Sequence, residues 1–305
     1  SLAESLRQTG VWRHFSPLWR RGKFFQNMKK TYLFVLFFLP LHLLAGAWPQ
    51  PKFGGYFKID HTFILASDFY NPGGEIEPIR TLGNYTTSFY GEFGFTKRLT
   101  GIAYVPFFVR NTLNETVGTQ SGQVLEPGVA NNAFGDMDLG LRYGILTKTK
   151  VILSAAVLLG LPTGDEGNSD GLLTGDGEFN QLFRLETGAG LGKAWVGGSV
   201  GFNNRTQGFS DEFRYGFEFG YKLAKERLFL IFKLDGIESF ENGSEAAQGN
   251  ALFSNDVEYL SPQLEAAWKI NKKWGVAYRF GAAMKGQNVL AAPSHSFGVF
   301  VEIGR

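Results

Sequence analysis

The residues of this chain that could do chemistry are charged, and they recur at even spacings. Asp136, Asp138 and Arg142 form one set, Arg184 and Glu186 a second, and Arg214, Glu218 and Lys222 a third. Lys233 with Asp235, Glu265 with Lys269, and Arg279 extend the series. Even spacing puts side chains on one face of a strand, where opposite signs can meet across neighbouring strands. Two chemistries fit: a polar permeation path whose charges set selectivity, or a salt-bridged lattice that fills and stiffens an enclosed interior. Cysteine is absent, so no disulfide, zinc-thiolate site or Cys nucleophile is available, and neither metal nor cofactor is expected.

Other candidates are weaker. Asp165-Glu166-Gly167-Asn168-Ser169-Asp170-Gly171 clusters oxygen ligands, but its spacing misses the calcium-loop pattern and reads better as a solvated turn. His61 and His295 are the histidines downstream of residue 47, and a Ser-His lipid hydrolase in a barrel wall would need one of them. His61 takes the lipid-facing parity of its segment, and His295 stands between Ser294 and Ser296 at a strand start.

The elements that must position these charges are short segments of alternating apolarity. Twelve can be placed: 56–66, 85–95, 99–109, 136–146, 151–161, 178–191, 194–203, 213–223, 228–236, 260–270, 274–284 and 295–303. Most are near the roughly ten residues of a tilted transmembrane strand. Short links such as Thr96-Lys97-Arg98 and Gly192-Lys193 alternate with long ones such as 110–135 and 237–259, which is the layout of an outer-membrane barrel. In 213–223, Phe213, Tyr215, Phe217, Phe219, Tyr221 and Leu223 share one face, while Arg214, Glu218 and Lys222 share the other. In every segment with two or more charges, all charges have one parity, because Lys or Arg facing lipid near the bilayer midplane costs roughly 2 to 4 kcal/mol. Glu258 breaks the parity of its segment and is assigned to a loop. Tyr85, Phe95, Tyr221, Trp268 and Trp274 at segment ends suit an interfacial girdle. A soluble β-sandwich would also alternate, with its apolar face buried against a second sheet. The third segment, apolar on both faces and holding Pro106, has no readable phase, and Pro262 is expected near a rim.

Composition and targeting fit the membrane reading. Gly (40) and Phe (30) are abundant while charged residues are 19%, unlike a soluble enzyme. The net charge of +2 misleads, since residues 1–47 carry seven Lys/Arg and one Glu, leaving the rest at −4; nucleic acid is not an expected partner. Met28-Lys29-Lys30, the apolar run from Leu33 and the closing Ala45-Gly46-Ala47 read as a signal peptide over 28–47, cleaved before Trp48. Residues 1–27 read as an upstream, non-structural extension, and 48–305 as the barrel.

Several stretches resemble the family of outer-membrane barrels named for the MetA pathway of phenol degradation. These are Gly135-Asp136-Met137-Asp138-Leu139-Gly140-Leu141-Arg142-Tyr143, Gly160-Leu161-Pro162-Thr163-Gly164-Asp165 and Thr174-Gly175-Asp176-Gly177. The opening from Trp48-Pro49-Gln50-Pro51-Lys52 to Gly55-Tyr56-Phe57-Lys58 resembles members from Bacteroidetes-like bacteria. The resemblance implies uptake of aromatic or other hydrophobic compounds, and brings no catalytic residue.

The expectation is therefore an all-β, single transmembrane, antiparallel up-and-down barrel of about twelve strands in a bacterial outer membrane. It would be a channel or facilitated porter for small solutes, hydrophobic or aromatic ones included. Its partners would be outer-membrane lipid, the barrel assembly machinery and the solute. The alternatives are a closed barrel acting in structure or surface recognition through its long loops, and more remotely the lipid hydrolase.

Overall fold

The computed structural model describes residues 46–168, 170–244 and 252–304. The upstream extension and all of the expected signal peptide except Gly46 and Ala47 lie outside them. Twelve long strands carry the fold: β1 (Gly55–Tyr70), β2 (Ile76–Gly94), β3 (Leu99–Leu113), β4 (Met137–Leu146), β5 (Val151–Leu161) and β6 (Asn180–Leu191) make the first half. The second half is β7 (Ala194–Asn204), β8 (Glu212–Leu223), β9 (Leu228–Ser239), β10 (Glu258–Lys269), β11 (Trp274–Gly281) and β12 (Ser294–Ile303). Each strand pairs antiparallel with its successor, and β12 pairs with β1, so the sheet closes on itself. Closure leaves no long strand edge for lipid to face, a requirement where no water can satisfy backbone groups. It also excludes the sandwich, which needs two sheets.

Outward faces are apolar and uncovered. Leu141 is 51% exposed, Leu185 52% and Phe217 44%, while Arg142 and Glu186, one residue along from the first two, are buried inside. Side chains in a strand point alternately to the two faces, so this is the sequence alternation read out in space. Phe95, Tyr221, Trp268 and Trp274 are exposed at strand ends, as a girdle requires.

The short turns are made by local chemistry. Gly192, at φ 73°, heads the two-residue link between β6 and β7, where a left-handed conformation is needed. Asn271 accepts the backbone N–H groups of Lys273 (2.8 Å) and Trp274 (2.9 Å) to turn β10 into β11.

Three expectations change. The β1–β2 hairpin runs on to a turn at 71–75, so the loop expected over 67–84 is mostly strand: the pairing, shifted at Ala66/Asp68, continues as Asp68↔Pro78 to Tyr70↔Ile76. Glu258, expected in a loop, is the first residue of β10, where its carboxylate accepts the Ser239 backbone N–H at 3.3 Å. β11 stops at Gly281, short of the expected 284, and Lys285–Gln287 pairs separately with β10. At Pro106 the β2–β3 register shifts between Thr87 and Phe89, and β3 changes partner from β4 to the short segment Val129–Ala133. The bulge moves the buried set from even positions (Ile102) to odd ones (Val109, Asn111), which is why the phase could not be read. Pro262 pairs with Leu234 one residue beyond the β11 pairing, which ends at Gln263, close to where β11 stops.

Candidate functional site

Inside the short-turn end of the barrel the inward faces are aromatic. Trp195 of β7, Phe229 and Ile231 of β9 and Phe300 of β12 pack together with Ala267 and Ala277, and Tyr56 and Trp48 pack against them. Glycine gives these rings space: a Cβ on Gly220 would stand 2.0 Å from the Trp195 ring.

Above this plug lies a charged layer. The Arg142 guanidinium, 1% exposed, bridges Glu92 of β2 (2.9 Å) and Glu186 of β6 (2.5 Å), and Glu186 also takes Arg184 at 2.6 Å. Across the lumen Lys233 reaches Glu265 (3.5 Å) and Glu218 (3.9 Å), and Glu218 accepts the Trp195 indole N–H at 2.5 Å. Lys58 pairs with Asp60 at 3.1 Å, and Arg279 lies 3.6 Å from the other oxygen of Asp60. These groups, with Asp235 and the tyrosines Tyr56, Tyr90 and Tyr104, line a cavity of about 440 Å³. Among the described residues its lining holds six carboxylates, those of Asp60, Glu92, Glu186, Glu218, Asp235 and Glu265, against five cations.

The segment leading into β1 enters this lumen. Gln50 donates its backbone N–H to Thr100 (2.8 Å) and its side-chain amide to Glu92 (2.6 Å), and Ser154 donates to the Ala47 carbonyl at 2.6 Å. The wall is cut back to receive it: a Cβ on Gly188 would be 2.3 Å from the Trp48 ring, and one on Gly144 would be 2.6 Å from Pro49. The segment therefore closes the short-turn end of the cavity.

Of the candidates read from the sequence, Arg142, Arg184, Glu186, Glu218, Lys233, Asp235, Glu265 and Arg279 come together around the cavity. Asp138 lies on the same inward parity of β4, and Arg214 pairs with Glu212 at 2.6 Å. Lys222 and Lys269 sit near the short-turn end, paired with Glu226 (3.7 Å) and Glu302 (2.7 Å). Asp136 is not among the residues that line this cavity. It precedes β4, and its carboxylate accepts the backbone N–H groups of Thr163, Gly164 and Asp176, tying the β5–β6 loop to the barrel. Gly135-Asp136 and Gly175-Asp176 are thus parts of this loop knot. Glu92 has no second charge in the segment 85–95 to set its phase, although its even parity with Tyr90 points inward. Nothing in the composition of residues 48–52 distinguishes a plug from a linker, and Gly46 and Ala47 read as the end of the signal peptide.

Among the described residues the hydrogen-bond partner of His295 is a tyrosine hydroxyl. Its Nδ1 meets the Tyr278 hydroxyl at 2.9 Å on the outward face, stacked near Phe63, while Ser296 faces inward and bonds Asp60. His61 Nδ1 lies 3.0 Å from the Thr87 hydroxyl.

At the long-loop end, Arg205 clamps three carboxylates: Asp176 (3.1 Å), Glu178 and Glu212 (3.1 Å). Burial pushes the Glu178 carboxyl up to about 7, against the opposing pull of Arg205. A raised carboxylate favours the protonated fold, so its contribution is complete at pH 4 and is lost as pH rises through about 7. Limited proteolysis of loops 162–179 and 205–211 is therefore expected to be faster at pH 8 than at pH 5.5 after correction for protease activity. Glu178→Gln should flatten that dependence; an unchanged profile would remove Glu178 from the account.

No protein-family model and no curated protein matches the chain. Among solved structures it is similar to the COG4313 outer membrane channel from Pseudomonas putida F1, at 13% identity and TM-score 0.59, over 85% of this chain and 98% of that one. The NanC porin aligns at 7% identity and TM-score 0.49, over 80% of this chain and 98% of that one. The first likeness is one of fold, and the fold it shares is that of an outer-membrane β-barrel.

Proposed function

We propose that this protein is an outer-membrane channel or facilitated porter for small solutes, held shut by its own N-terminal segment. The observation that carries the reading is the closed barrel whose charge-lined cavity of about 440 Å³ ends on a separable segment, seated by Gly144 and Gly188 rather than built into the wall. Tyrosines beside charges of both signs suit a small solute with a polar group, such as a phenol or an organic acid. A purely apolar solute would lie against charged groups of both signs. The family resemblance supports the aromatic part of this reading, and the signal peptide supports export to the outer membrane.

Single-channel conductance in planar bilayers tests it. Trp48→Ala removes the ring that anchors the segment, at a cost of about 2 kcal/mol for a half-buried aromatic, which raises the open fraction roughly thirtyfold. Gly188→Leu is expected to evict the same ring while leaving it in the chain. Brief, rare steps for the natural protein and frequent, larger ones for both variants support the channel. Equal silence in all three favours the closed barrel that acts through its loops.

A further inference from the structure

We infer that the lumen contains a binding site for an α-ammonium group, that of Trp48 itself, created when the chain is processed between Ala47 and Trp48. The inference rests on processing at that bond and is independent of transport. Ala47 is 3% exposed, deep in the barrel, and its carbonyl is held by Ser154, which is itself fully buried. Ser154 faces Glu186 across the β5–β6 pairing. Gly46 approaches the same group: a Cβ on it would be 3.9 Å from both the Glu186 carboxylate and the Arg142 guanidinium.

A signal peptidase adds water across the Ala47–Trp48 amide. The carboxylate departs with the leader, and the amine stays on Trp48 and takes up a proton. That nitrogen is one bond from the carbonyl carbon that Ser154 now positions, so the cation forms beside Ser154 and Glu186, in a cavity that Glu92, Arg142 and Arg184 also line. The cavity lining has one carboxylate more than it has cations, and the new ammonium supplies the missing charge. In a dry or partly dry interior charge balance is strongly favoured. Processing thereby completes the plug: the barrel closes over a segment whose end has become a cation.

The test uses protein purified from outer membranes. N-terminal sequencing of the sample reads the first residue, and any start other than Trp48 overturns the inference whatever the conductance shows. Reductive methylation with ¹³C-formaldehyde then places an NMR label on the α-amine, whose titration is followed in detergent. The expected result is a pKa about one unit or more above the ordinary range of about 7.7 to 8.0. Glu186→Gln should return it toward that range, and Ser154→Ala should lower it less. An ordinary value in the natural protein overturns the site. An elevated value that neither variant moves overturns its assignment to Glu186 and Ser154.

Discussion

Replacing Arg142 by Met is expected to destabilise the barrel by about 3 to 5 kcal/mol, the usual cost of removing one partner from a buried ion pair. The guanidinium is the hub of the lumen lattice, spanning Glu92 and Glu186. Without it Glu92 keeps Tyr90 and Gln50 as hydrogen-bond donors, and Glu186 keeps the ion pair with Arg184. Two carboxylates would then share a poorly hydrated space with too little positive charge. Urea unfolding in lipid vesicles, followed by tryptophan fluorescence, gives the difference. Adding Glu92→Gln and Glu186→Gln to the Met variant should recover most of the loss, because the cost lies in unpaired charge rather than in missing contact. A single variant as stable as the natural protein would mean the cavity is wet enough to solvate the acids, and would favour the open polar path over the lattice.

A comparable loss is expected from moving one charge by one residue. Leu185 stands on the outward face of β6, beside the inward Arg184. Leu185→Arg puts a guanidinium against acyl chains, at roughly 2 to 4 kcal/mol near the bilayer midplane. The exchange Arg184→Leu with Leu185→Arg keeps the composition and inverts the two faces, so it should be worse than either single change. Refolding yield into vesicles and resistance to unfolding in hot detergent measure both effects. If Leu185→Arg folds and resists as well as the natural chain, the outward face of β6 does not meet lipid.

The alternation that places charges inside was legible because its period matches the strand and the penalty for error is large. Strands β4, β6 and β8 each carry charges on one parity, and the structure puts those charges on one side of the wall. A segment with one charge offers no such check, and in 85–95 Glu92, a principal partner of Arg142, stands alone because the charges Glu77 and Arg80 of the same strand lie in the stretch expected to be a loop. In β3 the bulge at Pro106 switches the buried parity midway, and one phase cannot describe two half-strands. Asp136 shares the parity of Asp138 and Arg142, but it lies just past the strand end, where parity no longer decides environment and a carboxylate serves to collect loop N–H groups. The aromatic plug was illegible for a different reason. Trp195, Phe229 and Phe300 look lipid-facing by residue type, and only their register against charged neighbours turns them inward.

The most direct test of a barrel with lipid outside and charge inside is site-directed spin labelling along β8. The chain has no cysteine, so single Cys substitutions can be introduced at each position from Gly216 to Lys222 without background. In reconstituted vesicles, labels at Phe217, Phe219 and Tyr221 should be relaxed by dissolved oxygen, which concentrates in acyl chains. Labels at Gly216, Glu218, Gly220 and Lys222 should be shielded from it. A profile without this two-residue period, or with every position open to a water-soluble relaxant, would contradict the account.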